Sequence, residues 1–291
     1  HAGNVLSLAK AYGADRFPWR YLPADSTGFT DSFSFRATDG KTPSAPNQVS
    51  IRMLDPELGA LSRLSIATDG SEGTRDSFLP YTGLGISAEG NRVVFSSTAN
   101  ELAPADDDSG FADVFLRDTL SGTTRLPSAG AAQNSHAYRC VLSADGQTTL
   151  YYTEDGNKLI LQDLASGART TVDTVSSYLS NAALGISHDN NRVVYEKNGQ
   201  VWLFEQGLTA TAAVSVNNAG EAANASCADG AITPDGSAIV FSSTATNLDA
   251  SYPDDSRSLY LRHLDDAQTI LISTTQSGQM LPNAIKPTLS E

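Results

Sequence analysis

Three aspartates in a row, Asp106, Asp107 and Asp108, are followed by Ser109-Gly110-Phe111-Ala112 and then Asp113. Carboxylates packed this closely in one loop repel each other, and a divalent cation turns that repulsion into coordination. Calcium suits the segment because it takes about six to eight oxygen ligands in flexible geometry, while Gly110 permits a tight turn. The expected metal is therefore calcium, held mainly by Asp106, Asp108 and Asp113 with Asp107 beside them. The segment departs from the D-x-D-x-D-G-x-x-D calcium-loop pattern, since Ser109 precedes the glycine and no distal glutamate follows. An acidic, solvated loop tip is the alternative these residues leave open.

A second acidic loop, Tyr252-Pro253-Asp254-Asp255-Ser256-Arg257-Ser258, lacks the glycine and ends in serine where the first has Asp113. Asp254 and Asp255 are read as ligand or partner contacts. Asn100 and Asn247 precede the two loops, where a carboxamide either hydrogen-bonds loop backbone or meets a ligand. His1, His136, His188 and His263 are scattered without metal-type spacing and are given surface or packing roles. Gly85-Ile86-Ser87-Ala88-Glu89-Gly90 is not the G-x-S-x-G of a serine hydrolase, and no carboxylate pair stands out as a glycosidase dyad. No catalytic residue and no organic cofactor is expected. Cys140 and Cys227 fall at non-equivalent places and are expected to be free thiols.

Charge narrows the partners. The formal net charge of −14 opposes nucleic acid and anionic lipid, and no apolar run is long enough to span a bilayer. A hydrophobic fraction of 40% is that of a folded globular protein.

The elements that must hold these loops come from self-similarity. An apolar strand ending in a turn recurs as Ile86-Ser87-Ala88-Glu89-Gly90, Leu142-Ser143-Ala144-Asp145-Gly146, Ile186-Ser187-His188-Asp189-Asn190 and Ile232-Thr233-Pro234-Asp235-Gly236, and begins again at Leu289-Ser290-Glu291. After each turn comes a β-branched or aromatic run: Arg92 to Phe95, Thr149 to Tyr152, Arg192 to Tyr195 and Ala238 to Phe241. Third strands follow at 113–116, 158–161, 200–203 and 258–261, and fourth strands near Arg125, Thr171, Val214 and Leu271. A period of roughly 40 to 50 residues is that of four-stranded propeller blades, which bury their faces against each other and leave only short edges.

These motifs resemble the TolB-like or Trp-Asp-type propeller repeats of secreted bacterial proteins, in which S-x-D-G, V-x-F and D-V-F-x-x-D elements recur. The stretch Phe95 to Leu102 is closely matched by Phe241 to Leu248, and the first copy continues into Asp113-Val114-Phe115-Leu116-Arg117-Asp118. The resemblance implies an all-β propeller of four-stranded antiparallel blades over 57–291. Its blades run near 82–128, 137–174, 182–216 and 228–274, with partial strands at 60–67 and 285–291.

Residues 1–56 are similar to the second half of a bacterial cadherin-like or immunoglobulin-like module, through Phe17-Pro18-Trp19-Arg20-Tyr21-Leu22-Pro23, Asp31 to Gly40 and the closing Val49-Ser50-Ile51-Arg52-Met53. The expectation is a partial β segment packing on further parts of a longer chain or on other subunits. Trp19 and Trp202 fall on strand patterns and are assigned to packing.

Antiparallel strands put the second-to-third loops and the blade-to-blade connections on one face. Those loops are long in the first and fourth repeats and short in the middle two, so that face is the expected binding surface. The combined expectation is an extracellular or cell-surface bacterial module, or a periplasmic one, that binds protein or carbohydrate without catalysis. Two alternatives stay open: an exported carbohydrate-active lyase or hydrolase using the propeller funnel, and a periplasmic Tol-like protein-binding propeller.

Overall fold

The computed structural model describes residues 30–35, 47–52, 62–78, 85–103, 110–130, 135–175, 183–208, 210–249, 256–275 and 281. The chain divides into two units, His1–Arg63 and Leu64–Glu291. In the first, β1 (Thr30–Phe35) and β2 (Asn47–Arg52) pair antiparallel, with Phe33 opposite Val49. The remaining strands expected there, including Trp19, lie outside the described residues.

The described residues of the second unit form four consecutive blades of a β-propeller. Each is a four-stranded antiparallel meander whose strands follow one another in chain order. Blade 1 comprises β3 (Ser77–Phe78), β4 (Arg92–Ser97), β5 (Asp113–Asp118) and β6 (Thr123–Arg125). Blade 2 comprises β7 (Ala137–Leu142), β8 (Thr148–Thr153), β9 (Lys158–Asp163) and β10 (Arg169–Thr174). Blade 3 holds β11 (Leu184–Ile186), β12 (Arg192–Lys197), β13 (Gln200–Glu205) and β14 (Ala212–Ala213). Blade 4 holds β15 (Cys227–Ile232), β16 (Ala238–Ser243), β17 (Ser258–His263) and β18 (Gln268–Leu271). First strands β7, β11 and β15 contact one another in succession, which places them at the hub.

The core lies between blades, as the alternation of apolar residues requires. Val94, Val114 and Leu116 of blade 1 meet Ala137, Leu142 and Tyr151 of blade 2. The other face of blade 2, with Leu150, Tyr152 and Leu161, packs on Val193, Tyr195 and Phe204 of blade 3. Val194 and Val201 of blade 3 then pack on Ile239, Phe241 and Tyr260 of blade 4. Each such side chain contributes about 1.5–3 kcal/mol through burial, which only the neighbouring blade provides.

The recurring turn is a hydrogen-bonded device. Ser143 donates to Asp145 Oδ1 at 2.6 Å, Gln147 N–H donates to the same oxygen at 2.9 Å, and Thr148 N–H donates back to Ser143 Oγ at 2.9 Å. Ser187 with Asp189, and Thr233 with Asp235, repeat the arrangement. Its last residue is left-handed, with φ of +70°, +67° and +73° at Gly90, Gly146 and Gly236; blade 3 uses Asn190 at +60°, the side chain best suited to that region after glycine. The donors hold Asp235 down at about 2, led by Thr233 and followed by Ser237.

Arginines lock these turns to the preceding blade. Arg92 Nη1 donates to Gly146 O at 2.9 Å while its Nε pairs with Asp118 at 3.0 Å. Arg192 does the same with Gly236 O at 2.8 Å and Glu205 at 3.2 Å.

Candidate functional site

Chain direction sets which residues reach the second-to-third loop face: the starts of first strands, the ends of second strands and the starts of third strands. At the start of β7 a bulge interrupts pairing between Tyr138 and Val141, and Arg139 takes φ of +55°. At the start of β15 the equivalent bulge puts Asp229 at φ of +58°. Left-handed backbone costs a non-glycine residue about 1–2 kcal/mol, and bulges beside binding sites re-aim side chains. Hub strands of blades 2 and 4 thus carry opposite charges at the same position of the repeat.

Around Arg139 stands a run of rings from two blades. Phe111, just before β5, meets His136 edge-on with centroids 5.1 Å apart; His136 meets Tyr138 at 6.3 Å, and Tyr138 meets Tyr152 at 5.4 Å. The Arg139 guanidinium lies 6.0 Å from the Tyr138 ring centre. Tyr138 donates its hydroxyl to Glu154 at 3.1 Å, and Tyr152 donates to Asn157 at 2.5 Å. Ala112 N–H donates to His136 Nδ1 at 2.8 Å. That nitrogen is therefore unprotonated, and Nε2 carries the imidazole hydrogen as a donor. Phe111, His136, Tyr138 and Arg139 are all half-buried, so the run has an accessible side.

Blade 4 supplies a second polar group. Arg257 Nη1 donates to Ser242 Oγ at 2.8 Å, and Ser242 donates to Asp229 Oδ2 at 2.8 Å. Glu196, near the end of β12, accepts backbone N–H bonds from Asp229 at 2.5 Å, Gly230 at 3.4 Å and Ala183 at 3.0 Å. Burial raises its carboxyl above the usual range, outweighing the three backbone donors. Glu196 thereby pins the blade 4 bulge from blade 3.

Several of the residues singled out from the sequence have definite places. Asp113 is buried at the start of β5, where Ser128 Oγ donates to its Oδ1 at 2.5 Å and accepts from Val114 N–H at 3.0 Å. Gln200 stands in the same relation to Ser215 in blade 3, at 2.6 Å, so this position serves blade closure with either a carboxylate or an amide. Asp106, Asp107, Asp108, Asp254 and Asp255 lie outside the described residues. Among the described residues no group of three His, Cys, Asp or Glu side chains is arranged to hold a metal.

Asn100 opens a short 3-10 turn, Asn100–Leu102. The structural counterpart of Asn247 is Glu101 rather than Asn100. Asn247 Oδ1 accepts from Asn224 N–H at 3.0 Å and its Nδ2 donates to Ala222 O at 2.9 Å, while Glu101 accepts from Thr74 N–H in the equivalent hairpin. Both side chains brace the hairpin entering their blade.

His136 received an ordinary surface or packing role from the sequence, yet it joins Phe111 to Tyr138, which in turn meets Tyr152. The available signal was that Tyr138-Arg139 and Ala228-Asp229 stand at one position of the repeat with no common chemistry. His188 lies in the blade 3 turn, where its N–H donates to Pro234 O at 2.8 Å, and His263 ends β17. Cys140 and Cys227 are both buried free thiols. Trp202 is half-buried on β13 against the core between blades 2 and 3, with Nε1 donating to Lys197 O at 3.3 Å.

No family model matches the chain, and no curated protein matches it. Solved structures it is similar to include TolB from Acinetobacter baumannii, at 12% identity and a TM-score of 0.45 over 69% of this chain and 44% of that one. The chain therefore spans less than half the length of that TolB. A TolB-like protein from Agrobacterium tumefaciens, described as putative, gives 15% identity and a TM-score of 0.41 over 71% and 78%. An oligogalacturonate lyase in complex with manganese gives 14% identity and a TM-score of 0.38 over 84% and 73%. Likeness at this level reaches the fold at most, and here the sheet topology and the packing between blades carry the propeller assignment.

Proposed function

We propose that this chain is a bacterial binding module, extracellular or periplasmic, that holds a protein or carbohydrate on the second-to-third loop face of its propeller. The observation that carries the reading is the half-buried run Phe111–His136–Tyr138 beside Arg139. Ring faces and edges offer apolar contact to a sugar or a side chain, while the His136 Nε2–H and the Arg139 guanidinium donate hydrogen bonds. Calcium enters the same reading as the ion that orders the loop of Asp106, Asp107 and Asp108. Asp113, buried at the start of β5, would join that set.

No helix among the described residues is long and apolar enough to cross a membrane. Screening a glycan and peptide array with the purified chain, then repeating it with Tyr138→Ala, tests the reading. Specific binding lost in the variant supports it, and retention of every bound ligand refutes it.

A second reading, an exported lyase or hydrolase acting in the funnel, is favoured by the adjacency of His136, Tyr138, Arg139 and Glu154, which the blade repeat does not explain. Release of unsaturated or reducing ends from polysaccharides, abolished by Tyr138→Phe, would establish it over the first.

A further inference from the structure

At the outer rim, on the side of the third-to-fourth turns, blades 1 and 4 share a guanidinium clasp and blade 2 carries a variant of it. In blade 1, Arg117 Nη1 donates to Gly122 O at 2.9 Å and to Thr124 Oγ1 at 3.0 Å, with Ala67 O of the incoming hairpin at 3.4 Å. Thr124 passes its own hydrogen to Ile66 O at 2.5 Å. Blade 4 repeats this: Arg262 Nη1 donates to Ala267 O at 2.6 Å and Thr269 Oγ1 at 3.0 Å, and Thr269 donates to Val216 O at 2.6 Å. In blade 2 the arginine has moved to the fourth strand. Arg169 Nη2 donates to Pro127 O at 2.7 Å and Ala129 O at 2.6 Å, and its Nε donates to Gln162 Oε1 at 3.2 Å.

Blade 3 breaks the rule. The position of Arg117 and Arg262 is Phe204, buried with 6% of its surface exposed. The threonine is retained as Thr211, while Tyr195 of the second strand donates to Asp173 of blade 2 at 2.7 Å. Beside Phe204 and Thr211 there is a cavity of about 320 Å³, lined also by Thr170, Thr171, Val172 and Leu208 among others.

We propose that this cavity is a receptor for an arginine side chain, presented on an extended segment of a partner protein. Three features favour that occupant. The retained Thr211 can accept a guanidinium N–H as Thr124 and Thr269 do. The Phe204 ring offers an apolar face on which a planar cation stacks. The chain's net charge of −14 draws cationic partners. The site is on the opposite side of the blades from the ring run and stands or falls independently of it.

Calorimetric titration with three acetylated, amidated peptides, Gly-Thr-Arg-Thr-Gly and its lysine and citrulline counterparts, tests the proposal. The arginine peptide should bind roughly tenfold or more tighter than either analogue, the loss expected when a charge-assisted forked contact is removed. Thr211→Val should erase that preference. Equal affinities, no binding by any peptide, or a preference that survives Thr211→Val overturns the proposal. Stability gives a reading that needs no ligand. Phe204→Arg restores the sibling residue at this position of the repeat and should melt clearly above Phe204→Lys, whose ammonium lacks the planar fork of donors. Equal or inverted melting temperatures count against the site.

Discussion

Replacing Glu196 by alanine removes the acceptor of three backbone N–H groups at once, from Ala183, Asp229 and Gly230. Each bond to a charged acceptor is worth about 1.5–3 kcal/mol, and a buried donor left without a partner loses its solvation as well. The Gly230 contact is long at 3.4 Å and shares its acceptor oxygen with Asp229, so two effective bonds give the fairer estimate. The variant should then lose about 3–5 kcal/mol. Asp229, held at φ of +58° by that carboxylate, should relax toward ordinary strand geometry.

Urea unfolding followed by tryptophan fluorescence is the assay, because Trp202 lies beside the β12–β13 turn and donates to Lys197 O. With slopes of about 1–3 kcal/mol per molar, the midpoint should fall by more than ~1 M. Glu196→Gln separates charge from shape. Burial raises the Glu196 carboxyl, so the folded state resists its ionisation. A raised folded pKa means stability is fully present below the unfolded value and declines as pH rises through the folded one. The amide never ionises and escapes that decline, so the cost of Glu196→Gln should be smaller at pH 7 than at pH 4. A larger cost at pH 7 would show that the backbone donors outweigh burial, and the reasoning would fail.

Asp173 is predicted to behave oppositely. Burial alone would raise it, but hydrogen bonds from Lys197 and Tyr195 bring it below the usual range, so its contribution is present above the unfolded carboxylate pKa and lost as pH falls through the folded one. Asp173→Asn should cost about 1–2 kcal/mol at pH 7 and almost nothing below about pH 3, measured by thermal melts across pH. Arg92→Ala should destabilise by about 1–2 kcal/mol through loss of Asp118 and Gly146 O, with a guanidine midpoint that Arg92→Lys only partly restores. Cys140 is pushed up to about 12 by burial, and Cys227 is raised for the same reason. Neither should react with a thiol reagent in the native state, and both should react in urea. Calcium should raise the melting temperature over a chelator control, and Asp108→Ala should remove the rise; identical curves would leave the acidic loop as solvated surface.

The four-stranded blade, its strand order and the Ser/Thr-x-Asp turn were legible in the sequence because each depends on patterns within one repeat. A hydroxyl, a carboxylate and a left-handed residue specify the turn locally, and alternation specifies which strand face is apolar. The same local logic correctly put Cys140 and Cys227 out of reach of each other. It misjudged Asn247, because matching asparagines by letter paired it with Asn100, whereas it is Glu101 that braces the equivalent hairpin entering its blade.

The ring run and the rim cavity were decided only by tertiary structure. Phe111, His136 and Tyr152 come from loops and strands of two blades, and their contact follows from how one sheet rests on the next. Phe204 looks in sequence like any strand aromatic. Its significance appears only when blades 1 and 4 show an arginine at the same position clasping the turn and the threonine opposite, because an omission is visible only against the contacts its siblings make.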